Sequence, residues 1–481
     1  MGQDIQQETF SKNDHQRFCG RLEEQLEALK ARLSRPGFSS GPASLGAEAE
    51  LYIVDDQQFP APLNTTLLEA VNNPLLTEEL NRFNLEINLS PLAAKGTPFL
   101  HMQRELDTLT ARLNEQAARH HARVVSIGIL PTLERRHLHR EFMTDRPRYR
   151  ALTTGLTALK GSAFSVDING ADSLKMLSDE VTLEGANTSF QVHLKVPADR
   201  FADYYNAAQL ITPLVLALSG NSPTFLGNRL WQETRIALFK QSIDDRHPAT
   251  KNWRRPARVS FGHGWVRDGA WELFAENVML YAPLIPYCFT DTPPFAELCL
   301  HHGTVWSWNR AVFDAKGDGH LRIEFRALPS GPTSADMMAN AAMLIGLTVA
   351  FADRVAGMLP AIPFNYAEYN FYRAAKDGLA ARILWPRDQQ HGVVESPVRD
   401  IIAQHLNDVA DGLASLDIDS ADIARNLTIL EQRLASGQTG AAWQLHQLEK
   451  YGGCNHSGLH AMLRDYISQS AEGTPVGEWQ V

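Results

Sequence analysis

Four short stretches of this chain alternate apolar and polar residues with a period of two, and in each the polar side carries groups that ionise or ligate. In LGAEAELYIV, Leu45, Ala47, Ala49, Leu51 and Ile53 share one face, while Gly46, Glu48 and Glu50 take the other. RFNLEINLSP sets Phe83, Leu85, Ile87 and Leu89 against Asn84, Glu86 and Asn88. NTSFQVHLKV sets Phe190, Val192, Leu194 and Val196 against Ser189, Gln191, His193 and Lys195. HLRIEFRAL sets Leu321, Ile323, Phe325 and Ala327 against Arg322, Glu324 and Arg326. Side chains two apart on a strand point the same way, so each stretch predicts a strand with one face on a core. A single antiparallel strand with one solvated face gives the same alternation. Its recurrence in four stretches predicts one sheet whose polar faces line a shared cleft.

Two carboxylates on one half-buried face, as at Glu48 and Glu50, repel each other, and a divalent cation relieves that repulsion. Glu48, Glu50, Glu86, Gln191, His193 and Glu324 form an oxygen-rich donor set with one imidazole, which suits magnesium or manganese better than zinc. Arg322 and Arg326 beside such metals suit a transferring phosphoryl group, whose charge guanidinium groups share through paired hydrogen bonds. Nucleotide-dependent phosphoryl chemistry is therefore expected, with ATP as donor. Lys195 and Arg373 are further candidates for nucleotide phosphates, although a lysine at a strand end and an arginine on a helix are more often solvated. The chain has no G-x-x-x-x-G-K-[ST] loop, and GSAFSVDING is not a glycine-rich turn opening a helix. ATP must then bind through the sheet and its metals.

The rest of the 481-residue chain interleaves strand and helix signals, which predicts an α+β fold. Phe18, Leu22, Leu26, Leu29 and Leu33 predict an amphipathic helix over 14–33, with Asp14 as cap, ended by RPGFSSGP. From about residue 380 the strand signals fade and SPVRDIIAQHLNDVADGLASL, SADIARNLTILEQRLASG and GAAWQLHQLEKYGG read as helices. The expected organisation is a helix and linker over 1–40, a catalytic core over 41–380 and a helical portion over 381–481. A net charge of −10 leaves no basic footprint for nucleic acid. Cys19, Cys288, Cys299 and Cys454 form no paired motif, which fits a reducing compartment. LITPLVLAL and AAMLIGLTVAFA fall short of a membrane span, and MGQDIQQETF has no basic segment followed by an apolar one. A cytoplasmic protein acting on small molecules is expected, with no membrane partner and room for homo-oligomers. The histidine pairs at 120–121 and 301–302 do not point to one metal, and the four tryptophans of WVRDGAWELF and GTVWSWNR are expected in core.

Several of these segments resemble the glutamate-cysteine ligase type 2 group, carboxylate-amine ligases of the glutamine synthetase superfamily. GAEAELYIVD resembles its first glutamate strand and FNLEINLSP its second. GANTSFQVHLKV is similar to the strand with polar metal-side residues at alternating positions, and LALSGNSPTFLGNRLWQETRIALF to the downstream turn and arginine segment, with Arg235 in the arginine place. HLRIEFRALPSGPT looks like the late strand, NFYRAAKDGLAARI like the helix closing the core, and TGAAWQ like a late helix start. Many bacterial members carry two histidines on the third strand, whereas Gln191 holds the first of those positions here, nearer the plant-like pattern. The resemblance implies a curved open antiparallel sheet flanked by helices, with ATP and two or three magnesium ions on its concave face. It further implies that Glu324 ligates metal and that Arg235 and Arg326 face the reacting groups. The implied reaction converts the glutamate side-chain carboxylate into an acyl phosphate, which an amine, cysteine in the namesake reaction, then attacks. A kinase of guanidino compounds in the same superfamily, or a nucleotide sensor without turnover, are the alternatives.

Overall fold

The four alternating stretches come together in one sheet. In a computed structural model describing residues 5–247, 255–290, 294–386 and 392–481, eight strands pair antiparallel. They are β1 (Ser44–Asp55), β2 (Leu76–Glu78), β3 (Asn84–Asn88), β4 (Leu92–Ala93), β5 (Ala122–Val125), β6 (Phe190–Val196), β7 (Asn309–Asp314) and β8 (His320–Phe325). The main order is β7-β8-β6-β1-β3-β2, with β4 and β5 pairing to β1. The sheet is open and curled into a half-barrel, so its middle strands carry one concave face.

Register brings the polar residues side by side, because residues directly opposite in a ladder share a face. Glu50 lies opposite Glu86, Glu48 opposite Asn88 on one side and Gln191 on the other. His193 lies opposite Gly46 and Glu324, and Lys195 opposite Arg322. The apolar face, including Ala47, Ala49, Ile87, Val192, Leu194 and Ile323, is buried in the main core.

Helices Phe201–Ser219 and Ser334–Ala352 pack against each other behind this sheet. The second starts at Thr333, whose hydroxyl accepts the Asp336 N–H at 3.1 Å. At 19 residues it is longer than the run read from sequence, and its length and composition would allow a membrane span, yet its apolar window is 94% buried within the fold. The amino-terminal helix runs from Lys12 to Leu33, two residues earlier than expected. Ser11 is its cap and Asp14 sits at the third helical position, each accepting the other's backbone N–H. It docks on the helices Ala270–Leu280 and Ala296–His302, where Trp271 Nε1 donates to the Leu26 carbonyl at 3.1 Å.

The carboxy-terminal portion departs from the helical expectation at its start. Arg382–Pro386 and Val393–Pro397 pair as an antiparallel hairpin. Two five-residue strands that pair only with each other leave little alternation to read, and each ends at a proline. Helices then follow through His456–Glu472. They are bolted to the core by buried polar contacts: Arg433 to Asp336 at 2.6 Å, and Tyr466 Oη to Asn221 Nδ2 at 2.8 Å.

Candidate active site

A cavity of about 920 Å³ opens on the polar face of the sheet. Glu48, Glu50, Glu86, Gln191 and Arg326 line its centre. Towards β2 its wall includes Glu79, Arg148, Tyr149 and Glu184, and towards β7 it includes Leu300, Thr304, Trp306 and Arg310. His193 and Glu324 lie on the same strand face but are buried, at 8% and 3% exposure.

The acidic residues form two groups, each with ligand atoms mutually within 4.8 Å. One is Glu48, His193 and Glu324; the other is Glu50, Glu79 and Glu86. Both use β1, which contributes one glutamate to each from positions two apart. A strand period of two thus builds a pair of adjacent sites from a single strand.

The two groups differ in how their charge is met. Glu324 accepts a two-pronged hydrogen bond from Arg310 at 2.6 and 3.0 Å, and Arg326 Nη1 adds a contact at 3.2 Å. Burial would raise the Glu324 pKa, but these two guanidinium groups outweigh it and hold the carboxyl well below the usual range. Burial also works against Glu48, yet the neighbouring His193 brings it down to about 2. In the second group burial dominates. It raises Glu50 despite the hydrogen bonds from Ser189, and, with the Glu48 and Glu50 charges, pushes Glu86 up to about 8. Glu79 is driven well above its ordinary range by burial and then by Glu86 and Glu50.

This donor set fits divalent metal. The second group gathers carboxylates whose ionised form burial and mutual repulsion disfavour, which is the environment a hard cation reverses. In the first group, His193 Nε2 is buried without a well-formed hydrogen bond, although it lies 3.3 Å from Glu48 Oε1. Magnesium or manganese would be held by Glu48, His193 and Glu324 and by Glu50, Glu79 and Glu86. Gln191, expected as a ligand, links Glu50 and Arg326: its Nε2 donates to Glu50 at 2.9 Å and its Oε1 accepts from Arg326 at 2.5 Å.

Not every expected site residue reaches the cavity. Arg235 is 2% exposed, pairs with Glu233 at 2.9 Å and donates to the Ala327 carbonyl at 2.8 Å. It holds the chain one residue past Arg326 and lies within electrostatic reach of Glu50. Arg322 donates to His193 Nδ1 at 3.3 Å and lies 3.8 Å from Asp314. Lys195 Nζ donates to the Ser40 carbonyl at 3.0 Å. Arg373 is on helix Phe364–Asp377, paired with Asp377 at 3.2 Å, and the structure does not bring it to the cavity.

Other residues escaped the sequence reading. Glu79 follows a three-residue strand, and Glu184 lies in a 3₁₀ turn (Val181–Ala186), so neither has periodicity to reveal it. Arg310 does carry a signal, since NRAVFD alternates apolar and polar residues. Of those tryptophans, Trp308 is buried core, whereas Trp306 walls the cavity. His301 and His302 are buried and bonded to the carbonyls of Asn277 and Ala311, which fits a structural role.

The curled antiparallel sheet thus carries two carboxylate groups that fit divalent metal, with Arg326 beside them. The chain belongs to the glutamate-cysteine ligase family 2, whose model matches residues 44–463. Among solved structures, it is similar to a glutamate-cysteine ligase from Francisella tularensis in complex with AMP. Identity is 13%, the match covers 92% of this chain and 96% of that one, and the TM-score is 0.57. A bifunctional glutathione synthetase from Pasteurella multocida matches at 11% identity over 95% of this chain and 55% of that one, with a TM-score of 0.47. Comparison with curated protein sequences gives no match.

Proposed function

We propose that the protein uses ATP to activate the side-chain carboxylate of glutamate and joins it to an amine, with cysteine as the leading acceptor. The observation that carries this reading is the pair of carboxylate groups sharing β1, with Arg326 lining the same cavity. Two adjacent cation-binding groups and one guanidinium are what a phosphoryl transfer between two anions demands.

In this reading the glutamate carboxylate oxygen attacks the γ-phosphorus of ATP and ADP leaves, giving an acyl phosphate. The amine nitrogen then forms a bond to the acyl carbon, the C–O bond to phosphate breaks, and inorganic phosphate departs as the nitrogen loses a proton. Bound magnesium would supply charge neutralisation for the phosphates. Arg326, held in place by Glu324 and Gln191, neutralises charge that grows on the transferring phosphoryl group. Arg310 keeps Glu324 ionised and oriented, and Arg235 fixes the strand end that carries Arg326. The cavity volume of about 920 Å³ accommodates more than one small substrate.

Incubation with ATP, magnesium, glutamate and a panel of amines tests the proposal. An amide formed in step with ADP and phosphate is the expected result. A stable phosphorylated product would replace ligation by a kinase reading, and ATP binding without ADP under every amine would replace it by a sensor.

A further inference from the structure

One carboxylate in this cavity is left without a partner by an otherwise fully bonded segment. The 3₁₀ turn Val181–Ala186 leads directly into β6 and its backbone is held from several sides. Asn81 Nδ2 donates to the Thr182 carbonyl at 2.9 Å, Thr182 Oγ1 donates to the Leu138 carbonyl at 2.6 Å, and Tyr52 Oη donates to the Ala186 carbonyl at 2.6 Å. Asn187 Nδ2 donates to the Glu184 carbonyl at 2.8 Å. A Cβ at Gly185 would meet the Asn81 side chain at 2.4 Å, so Asn81 packs directly against the turn. Glu184 alone points its polar end into the cavity, and among the described residues its carboxylate makes no hydrogen bond or ion pair.

Its surroundings restrict what it can take. Glu184 lies within electrostatic reach of Glu50 and Arg326, the residues at the reacting centre. A carboxylate placed beside another carboxylate, with no ion pair of its own among the described residues and only the more distant charge of Arg326 to offset it, favours a cation from a ligand. It does not belong to either group of potential metal ligands. The proposed reaction brings two ammonium groups, that of the amine, which arrives protonated near neutral pH, and the α-ammonium of glutamate; the reacting centre at Glu50 and Arg326 takes the first, since the glutamate α-carbon lies three bonds away from the side-chain carboxyl carbon that is attacked. Resting on that reading, we propose that Glu184 holds the ammonium group of the incoming amine beside the activated carboxylate. Burial and the Glu50 charge push the Glu184 pKa up to about 8, with Arg326 opposing, so the free group holds its proton near neutral pH and an arriving ammonium group favours the ionised form.

Hydroxylamine separates this role from a structural one. It is an uncharged nucleophile near neutral pH and traps acyl phosphates as hydroxamates, so it needs no anionic partner. Wild-type enzyme and the Glu184→Gln and Glu184→Asp variants are compared with ATP, magnesium and glutamate, using either hydroxylamine or the panel amine that turns over. The expected result for Glu184→Gln is a KM for the amine raised about tenfold to a hundredfold, as for loss of a charged hydrogen bond, with hydroxamate formation and the KM for ATP retained. Glu184→Asp recovers part of the amine affinity. Equal losses with both nucleophiles, an unchanged KM for the amine, or a raised magnesium requirement would each overturn the assignment. A wild-type enzyme that makes no hydroxamate from glutamate or any other amino-acid carboxylate would instead overturn the ligase reading itself, and the role of Glu184 with it.

Discussion

Replacing Glu86 by glutamine in metal-free protein should stabilise it, and the effect should depend on pH in a defined sense. Glu86 is 6% exposed, accepts hydrogen bonds from Thr77 Oγ1 at 3.0 Å and Asn88 Nδ2 at 2.9 Å, and faces Glu50 across the β1–β3 ladder. Burial first, and then the Glu48 and Glu50 charges, raise its pKa from 4.5 to about 8. Between those two values the native protein keeps a proton that the unfolded chain has lost. The native state therefore binds more protons, and stability falls as pH rises through that window. At about 1.4 kcal/mol per pH unit, the ceiling on this loss is about 3 kcal/mol at pH 7 and about 5 kcal/mol above pH 8. Glutamine keeps the volume and an oxygen for both donors but does not titrate. Urea unfolding in EDTA should show the variant level with wild type near pH 4.5 and more stable by about 2 to 3 kcal/mol near pH 7. Magnesium should raise wild-type stability, flatten its pH dependence and release protons, while the variant should lose most of that response. Parallel pH slopes for the two proteins, or an undiminished magnesium response in the variant, would refute the reasoning.

Three other substitutions separate the remaining roles. Arg326→Ala should lower kcat by about 10²- to 10³-fold with little change in the KM for ATP, measured by ADP release, and a fall smaller than about tenfold would remove Arg326 from the reacting centre. Arg235→Met leaves the Glu233 carboxylate buried without its partner and should destabilise the protein by about 3 to 5 kcal/mol, with the double variant Glu233→Gln/Arg235→Met recovering much of the loss. An Arg235→Met protein of normal stability but no activity would instead return Arg235 to the reacting groups. Arg373→Ala should leave the KM for ATP unchanged, because that side chain is 38% exposed and paired with Asp377; a raised KM would return it to the nucleotide.

What the sequence displayed and what it hid follow from one physical difference. Residues on a regular strand are legible because the period of two ties direction to position, so Glu48, Glu50, Glu86, His193, Glu324 and Arg326 could be placed on one face before any contact was known. That rule says which face a residue takes and nothing about its partner. Gln191 was read correctly as facing the cleft but serves as a bridge between Glu50 and Arg326, a role set by cross-strand register. Arg235 shows the same limit on a helix. Its residue type suits the chemistry, but its place at the start of helix Thr234–Ser242 sends its guanidinium to the Ala327 carbonyl and to Glu233. Glu79 and Glu184 had no period at all. Glu79 is set by the bend between β2 and β3, and Glu184 by hydrogen bonds from Asn81, Thr182 and Tyr52, residues up to 134 positions away in sequence. A turn that takes its shape from distant partners has no one-dimensional signature. Pairwise periodicity therefore marks the polar groups that the sheet itself presents, while Glu79 and Glu184, which join them around the cavity, take their places only in the folded chain.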